Sequence, residues 1–340
     1  MALVLSEGLY PETSPWRTHA LEVSHGHVLH VEESGDPAGI CAVVLHGGPG
    51  SGSSPLLCRF FDPARYRVIC IDQRGAGRSR PRGATAHNST ADLLDDMRLV
   101  RQLLEVPRWL VAGGSWGATL ALAHAALEPQ AVAALLLRAV FLPRAEDIEG
   151  FFQDTARRAP AAWARFASAV SPDRRHDMLG YLAQGLQQPV SGSDADLPRR
   201  LALAWWQWEK TLAGGATASD AGTQPEPTPE MLDALVDRYR VQSHYLLHRC
   251  WLDAPPLLPP LLDRLGALPQ VPTLLLHSRD DRICPPDAAQ AVHERIAHSE
   301  LRWVDGAGHD PSHPAMACAM TAALDSYALH GHFGGSKAAA

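Results

Sequence analysis

The sequence predicts a doubly wound α/β fold, with a mostly parallel sheet and a helical cap inserted into it. Three observations carry this. Six short apolar runs are each bounded by turn residues. A segment with helical periodicity lies between them. The strand rhythm stops between about 143 and 255 and then resumes. Strand–helix alternation of this kind is the signature of an α/β core.

The elements follow in chain order. Leu21 to Glu33 alternates around Gly26, which predicts an antiparallel hairpin at a sheet edge. The runs CAVVL (41–45), RVICI (67–71), WLVA (109–112), ALLLR (134–138), TLLLH (273–277) and LRWV (301–304) read as strands. Unbroken apolar strands are covered on both faces, as parallel sheets are. Ser89, with Asp92 three residues on, opens a helix by a capping box. Leu93, Leu94, Met97, Val100 and Leu104 recur on one face of it.

The segment 143–255 has no strand-like run and is read as a helical cap. Its aromatic residues, among them Phe151, Phe152, Trp205, Trp206, Trp208 and Tyr239, stand in helical settings. Residues 213–230 form a Gly/Pro/Ser/Thr-rich loop within it. The core is therefore expected at 1–142 and 256–333, and the tail at 334–340 is expected to be disordered.

The totals exclude several functions. The chain has 340 residues, 46% hydrophobic and 20% charged, with a net charge of −7, so its class is globular. No basic stripe suggests nucleic acid as a partner. No apolar run reaches the roughly 18 residues of a membrane span. The N-terminal MALVLSEGLYPET lacks a basic region and a long apolar run, so no secretory signal is predicted. Six cysteines without CxxC spacing suggest neither a zinc site nor a disulfide framework, and they predict a cytoplasmic protein. Oligomeric state is not legible.

The chemistry is concentrated in three stretches. Gly113-Gly114-Ser115-Trp116-Gly117 is a G-x-S-x-G pattern between a predicted strand and a predicted helix. That context lifts a serine hydroxyl above the sheet as a nucleophile. A serine needs a base, and GAGHD (306–310) offers His309 in a glycine-flanked loop after the last strand. HSRDDRICP (277–285) offers Asp280 or Asp281 to orient the imidazole. LHGGPG (45–50) follows the first core strand. The N–H groups of Gly47 and Gly48, with that of Trp116, would form an oxyanion hole. The order Ser, Asp, His is the one used on α/β-hydrolase folds. A serine, rather than an aspartate, at the elbow points to acyl transfer through an acyl-enzyme. The turn Asp72-Gln73-Arg74-Gly75 reads as a structural tie beside the oxyanion strand.

The stretches VVLHGGPGSGSSP, DQRGAGRS, GGSWG, WWQWE, HSRDDRICP and DGAGHD together resemble the proline iminopeptidases (prolyl aminopeptidases) of the α/β-hydrolase superfamily, along almost the whole chain. The resemblance implies a serine aminopeptidase that releases N-terminal proline, or a similar small residue, from a small peptide or amino-acid amide. It implies no metal or organic cofactor. It assigns Ser115, Asp281 (rather than Asp280) and His309 as the triad. Cys284 matches a non-catalytic cysteine near the site. Phe141, Trp205 and Trp208 would wall an apolar pocket for the proline ring. Glu209, in the W-x-x-W-E match, would anchor the substrate amine.

One departure stands out. Where the family typically carries a second glutamate, this chain has Gln242, which can accept a hydrogen bond but supplies no charge. Two alternatives follow from the residues alone. One is an esterase or amidase with a small acyl pocket; the other is a non-catalytic ligand-binding relative.

Overall fold

The computed structural model describes residues 8–153, 159–189, 196–214 and 227–334, and its eight strands form one sheet. In chain order these are β1 (Arg17–Glu22), β2 (Val28–Gly35), β3 (Ile40–Leu45), β4 (Tyr66–Asp72), β5 (Trp109–Gly114), β6 (Val132–Arg138), β7 (Thr273–His277) and β8 (Ser299–Trp303). Their order across the sheet is β1-β2-β4-β3-β5-β6-β7-β8. The pairs β1/β2 and β2/β4 are antiparallel and the rest are parallel. The expected hairpin forms with Leu21 opposite Leu29. Its turn places His25 and Gly26 in the left-handed region.

The helices are α1 (Pro55–Cys58), α2 (Thr90–Leu103), α3 (Trp116–Leu127), α4 (Ala145–Phe152), α5 (Pro160–Ser168), α6 (Met178–Leu186), α7 (Asp196–Leu212), α8 (Pro229–Leu247), α9 (Leu261–Arg264), α10 (Pro286–Arg295) and α11 (Pro314–His330). The capping box at α2 is complete. Ser89 accepts from the Asp92 N–H, and Asp92 accepts from the Ser89 N–H at 2.9 Å. No helix among the described residues is long and apolar enough to cross a membrane.

Strand alternation explains why the apolar runs are unbroken. Val43 and Leu45 of β3 face one core, shared with Leu93, Met97 and Val100 of α2 and with Leu120 and Leu122 of α3. Ala42 and Val44 face the other, shared with Phe60, Phe61 and with Met316, Met320 and Leu324 of α11. Both faces are covered, so neither set of alternate residues can be polar. Between β6 and β7, α4 to α8 build a third core from Phe152, Phe166, Leu182, Leu201, Trp205, Trp208 and Tyr239. Among the described residues of 143–255 there is no strand. Most of the 213–230 loop (residues 215–226), and the tail from 335, lie outside the described residues.

The sheet order positions the site. β4 lies on one side of β3 and β5 on the other, so the winding reverses there. Ligands bind at the carboxyl ends of strands beside such a reversal. The loops after β3, β5, β7 and β8 share that rim, and they carry Gly47, Ser115, Asp281 and His309 respectively.

One buried pair beneath the rim gives a pH test. In α3, His124 Nε2 accepts from the indole N–H of Trp109 at 3.1 Å, and its Nδ1 is buried without a partner. Burial, helped by the Arg101 charge, pushes its pKa down to about 4. The unfolded chain therefore binds the proton first. The contribution to stability is complete above about pH 6.5 and is lost as pH falls toward 4, by roughly 3 kcal/mol. Chemical denaturation between pH 4 and 7 should show this slope, and His124→Gln, which keeps an acceptor for Trp109, should flatten it.

Candidate active site

The turn from β5 into α3 is tight enough to dictate its glycines. A Cβ on Gly113 would lie 2.2 Å from the Gly117 carbonyl oxygen, and one on Gly117 would lie 2.1 Å from that of Leu45. Ser115 itself has φ 56° and ψ −124°, a conformation L residues rarely adopt. Its N–H donates to the Arg138 carbonyl at 2.9 Å, and its own carbonyl accepts from the Ala118 N–H at 3.0 Å. Such strain costs of order 1–3 kcal/mol and persists only where surrounding contacts impose it.

His309 follows β8 in a loop whose Gly306 and Gly308 take positive φ. Its Nδ1 lies 2.8 Å from Asp281 Oδ2. A carboxylate only accepts, so Nδ1 carries a proton, and in the neutral ring Nε2 is the nitrogen with the lone pair. The other oxygen of Asp281 accepts the N–H groups of Ile283 and Cys284, each at 2.9 Å. Burial alone would push the Asp281 carboxyl up. The His309 imidazole, its hydrogen bond and the Cys284 N–H outweigh this and hold it below the usual carboxylate value. Asp280 instead accepts from the Ser278 hydroxyl and the Gly306 N–H. Of the two aspartates, Asp281 is thus the one bonded to the imidazole.

Cys284 joins the halves of the site. Its Sγ is 3.7 Å from Ser115 Oγ. The sulfur, one ring nitrogen of His309 and one oxygen of Asp281 lie within 4.8 Å of one another. Ser115, Cys284, His309 and Asp281 therefore form one cluster. Burial, reinforced by the Asp281 charge, pushes the Cys284 thiol well above its usual range. A thiol kept protonated is a poor nucleophile.

Two residues support the site: Arg138 escaped the sequence reading, whereas Gln73 lies in the turn read as a tie beside the oxyanion strand. Arg138, at the end of β6, donates from Nη1 to the His309 carbonyl at 2.9 Å while its backbone holds the Ser115 N–H. Its guanidinium also packs on Gly114, where an added Cβ would lie 2.5 Å from Nη2. The signal was a charged residue closing the apolar run ALLLR. Gln73 accepts the Trp116 indole N–H at 2.9 Å and donates to the His46 carbonyl at 3.0 Å. It clamps both sides of the expected oxyanion hole. Its neighbour Arg74 turns away to Asp96, Ser24 and His87.

The expected oxyanion residues converge. A Cβ on Gly47 would sit 3.4 Å from Ser115 Cβ, so that loop abuts the serine. Gly48 has φ 112°. Trp116 opens α3, where first-turn N–H groups have no intrahelical acceptor. Gly50, farther along the loop, meets α8. A Cβ there would be 2.6 Å from the Arg238 carbonyl and 3.1 Å from Val241.

A small cavity opens beside Ser115 and Gly48. Phe141, Ile148, Phe151 and Phe152 line its apolar part; Asp147, Glu209 and Gln242 line it with polar groups. Phe141 is fixed by its carbonyl, which accepts the Thr119 hydroxyl. Phe141, Glu209 and Gln242 thus line the cavity beside the serine. Trp205 and Trp208 do not. Both are buried in the helical layer, behind Phe151 and Phe152, with Phe152–Trp205 centroids 5.3 Å apart. Residues three apart on α7 share its inward face, and that face meets the layer's own core rather than the cavity. The tryptophans therefore support the aromatic wall instead of forming it.

Glu209 is heavily engaged. One oxygen accepts from Arg238 Nη2 at 2.6 Å and from the Tyr239 hydroxyl at 2.9 Å. The other accepts from Gln242 Nε2 at 2.6 Å. A carboxylate cannot donate, so the Gln242 amide nitrogen must face it. This leaves Gln242 Oε1 buried and without a partner.

Residues 43–314 match a family model described as the alpha/beta hydrolase fold. The chain is 35% identical to a probable proline iminopeptidase of Leptolyngbya boryana, over 94% of this chain and 96% of that one. It is 34% identical to the proline iminopeptidase of Xylella fastidiosa, over 94% and 99%. A solved proline iminopeptidase of Mycobacterium smegmatis superposes with a TM-score of 0.58 at 18% identity, covering 93% of this chain and all (100%) of that one, a likeness of fold.

Proposed function

This chain belongs to the proline iminopeptidase family of α/β-hydrolases, and from that premise we propose that it is a serine aminopeptidase releasing N-terminal proline from small peptides or amino-acid amides. The observation that carries this reading is a single cavity that joins Ser115 to an apolar wall and to the Glu209–Gln242 pair.

In this reading the proline ring packs on Phe141, Phe151 and Phe152. Its ammonium group meets Glu209 and the unpartnered Gln242 Oε1, charge-assisted bonds worth roughly 1.5–3 kcal/mol where a charge takes part. His309 Nε2, its tautomer set by Asp281, takes the Ser115 proton as Oγ attacks the first peptide carbonyl. Such hydrogen bonds often tighten only when substrate is bound. The N–H groups of Gly47, Gly48 and Trp116 face the developing oxyanion. His309 then protonates the departing amine, and water hydrolyses the prolyl-enzyme. The helical segment 143–255 acts as a cap on the 1–142 and 256–333 core and blocks long N-terminal extensions, which favours exopeptidase action. Scattered cysteines suit a reducing compartment, and we place the enzyme in the cytoplasm.

A second reading has one observation in its favour. Arg238 already neutralises Glu209, and Gln242 adds no charge, as in an esterase or amidase with a small acyl pocket. Three substrates separate the two: a prolyl arylamide, its N-blocked form and a p-nitrophenyl ester. The aminopeptidase reading expects blocking the amine to lower kcat/KM by about tenfold or more. An unchanged rate on the blocked arylamide refutes it.

A further inference from the structure

We propose that Asp147 is a specificity-determining residue for the substrate's amine, supplying from across the cavity the negative charge that position 242 lacks. This rests on the aminopeptidase reading.

Asp147 lies in the first turn of α4, is 8% exposed and lines the same cavity as Ser115, Glu209 and Gln242. Its neighbourhood differs in charge from that of Glu209. Glu209 faces one guanidinium, Arg238, at 2.6 Å, so that pair is neutral. Asp147 binds Arg144 through both oxygens, at 2.6 and 2.8 Å. Arg144, however, is shared. Its Nη2 also donates to Asp287 at 2.7 Å, and Glu146 lies 3.6 Å from its Nε. One guanidinium thus stands among three carboxylates, two of them largely exposed. The Arg144 cluster, which includes the cavity-lining Asp147, thus carries an excess of negative charge, whereas the Glu209–Arg238 pair carries none.

An independent observation points to a ligand with N–H groups. Gln242 is 7% exposed, and its Oε1 has no donor because its amide nitrogen is committed to Glu209. A buried acceptor left empty is costly, and a ligand donor removes that cost. An N-terminal prolyl group is a secondary ammonium with two N–H bonds. Gln242 Oε1 can take one and the less crowded oxygen of Glu209 the other. Neither acceptor site brings net charge, so attraction of a protonated rather than neutral nitrogen falls to Asp147, in a low-dielectric cavity where such charge acts over several ångströms.

The test is steady-state kinetics of Asp147→Asn on prolyl arylamide and on cyclopentanecarboxylic arylamide, which has the ring but no nitrogen. KM for the prolyl substrate should rise about tenfold with kcat little changed, and the amine-free substrate should not respond. Adding Gln242→Glu to Asp147→Asn should recover most of the loss, because the charge returns to the cavity. A merely structural role for Asp147 would not be rescued this way. If Asp147→Asn fails to fold, as judged by thermal melting, Asp287→Asn serves instead. It lets Arg144 compensate Asp147 more fully and should raise KM for the prolyl substrate about two- to threefold. Prolyl KM unmoved in the folded variant, no rescue by Gln242→Glu, or equal loss on the amine-free substrate overturns the assignment. Wild-type enzyme indifferent to N-blocking would instead overturn the aminopeptidase reading itself.

Discussion

Ser115→Ala is expected to lower kcat on prolyl arylamide by about 10⁶-fold, leaving only what binding and the oxyanion donors supply. The expectation follows from the geometry: Oγ is raised at a turn that five residues are shaped to hold, beside a thiol too firmly protonated to substitute for it. The same turn predicts an opposite effect on stability. At φ 56° a Cβ is strained, so Ser115→Gly should melt higher than Ser115→Ala, by about 1 kcal/mol. Inactivity together with higher stability is the signature of a site that stores strain. Labelling by a fluorophosphonate should be lost in both variants; persistent labelling would move the nucleophile elsewhere. Failure of the wild type to be labelled while folded would favour the non-catalytic reading.

Asp281→Asn is expected to cost about 10⁴-fold in kcat with little change in KM. The amide can present its N–H to the imidazole and select the wrong tautomer, and it no longer stabilises the imidazolium. Asp280→Asn is the control. That carboxylate holds Ser278 and the Gly306 N–H, outside the imidazole's reach in the hydrogen-bond pattern. Its effect should be confined to a few-fold, through the set of the His309 loop. Comparable losses in the two variants would contradict the pairing at 2.8 Å.

The strands and the reactive groups were legible because each depends on a local rule. A run such as CAVVL has no solvent-facing side, so its alternate residues are all apolar. Ser89 and Asp92 cap α2 over three residues of sequence. Ser115 needs small neighbours within its own turn. What was illegible depends on partners distant in sequence. The i, i+3 spacing of Trp205 and Trp208 identifies an inward face, yet the helical layer has both a core and a cavity wall inside, and spacing does not choose between them. Arg138 reads as the charged end of a strand until His309, 171 residues on, comes to rest on it. Glu209 reads as an anchor for an amine, and nothing near it in sequence tells that Arg238 and Tyr239 already bond to it. Asp147 had no motif around it.

The close approach of Gly50 to α8 ties selectivity to rate. The loop proposed to cradle the reacting oxygen leaves no room for even a methyl group beneath the helix that bears Gln242. Swapping that helix for one from a relative with different tastes would therefore disturb the loop as well. Attempts to retune what this molecule accepts should succeed more readily through Asp147 or the phenylalanines on α4, which sit on a separate support.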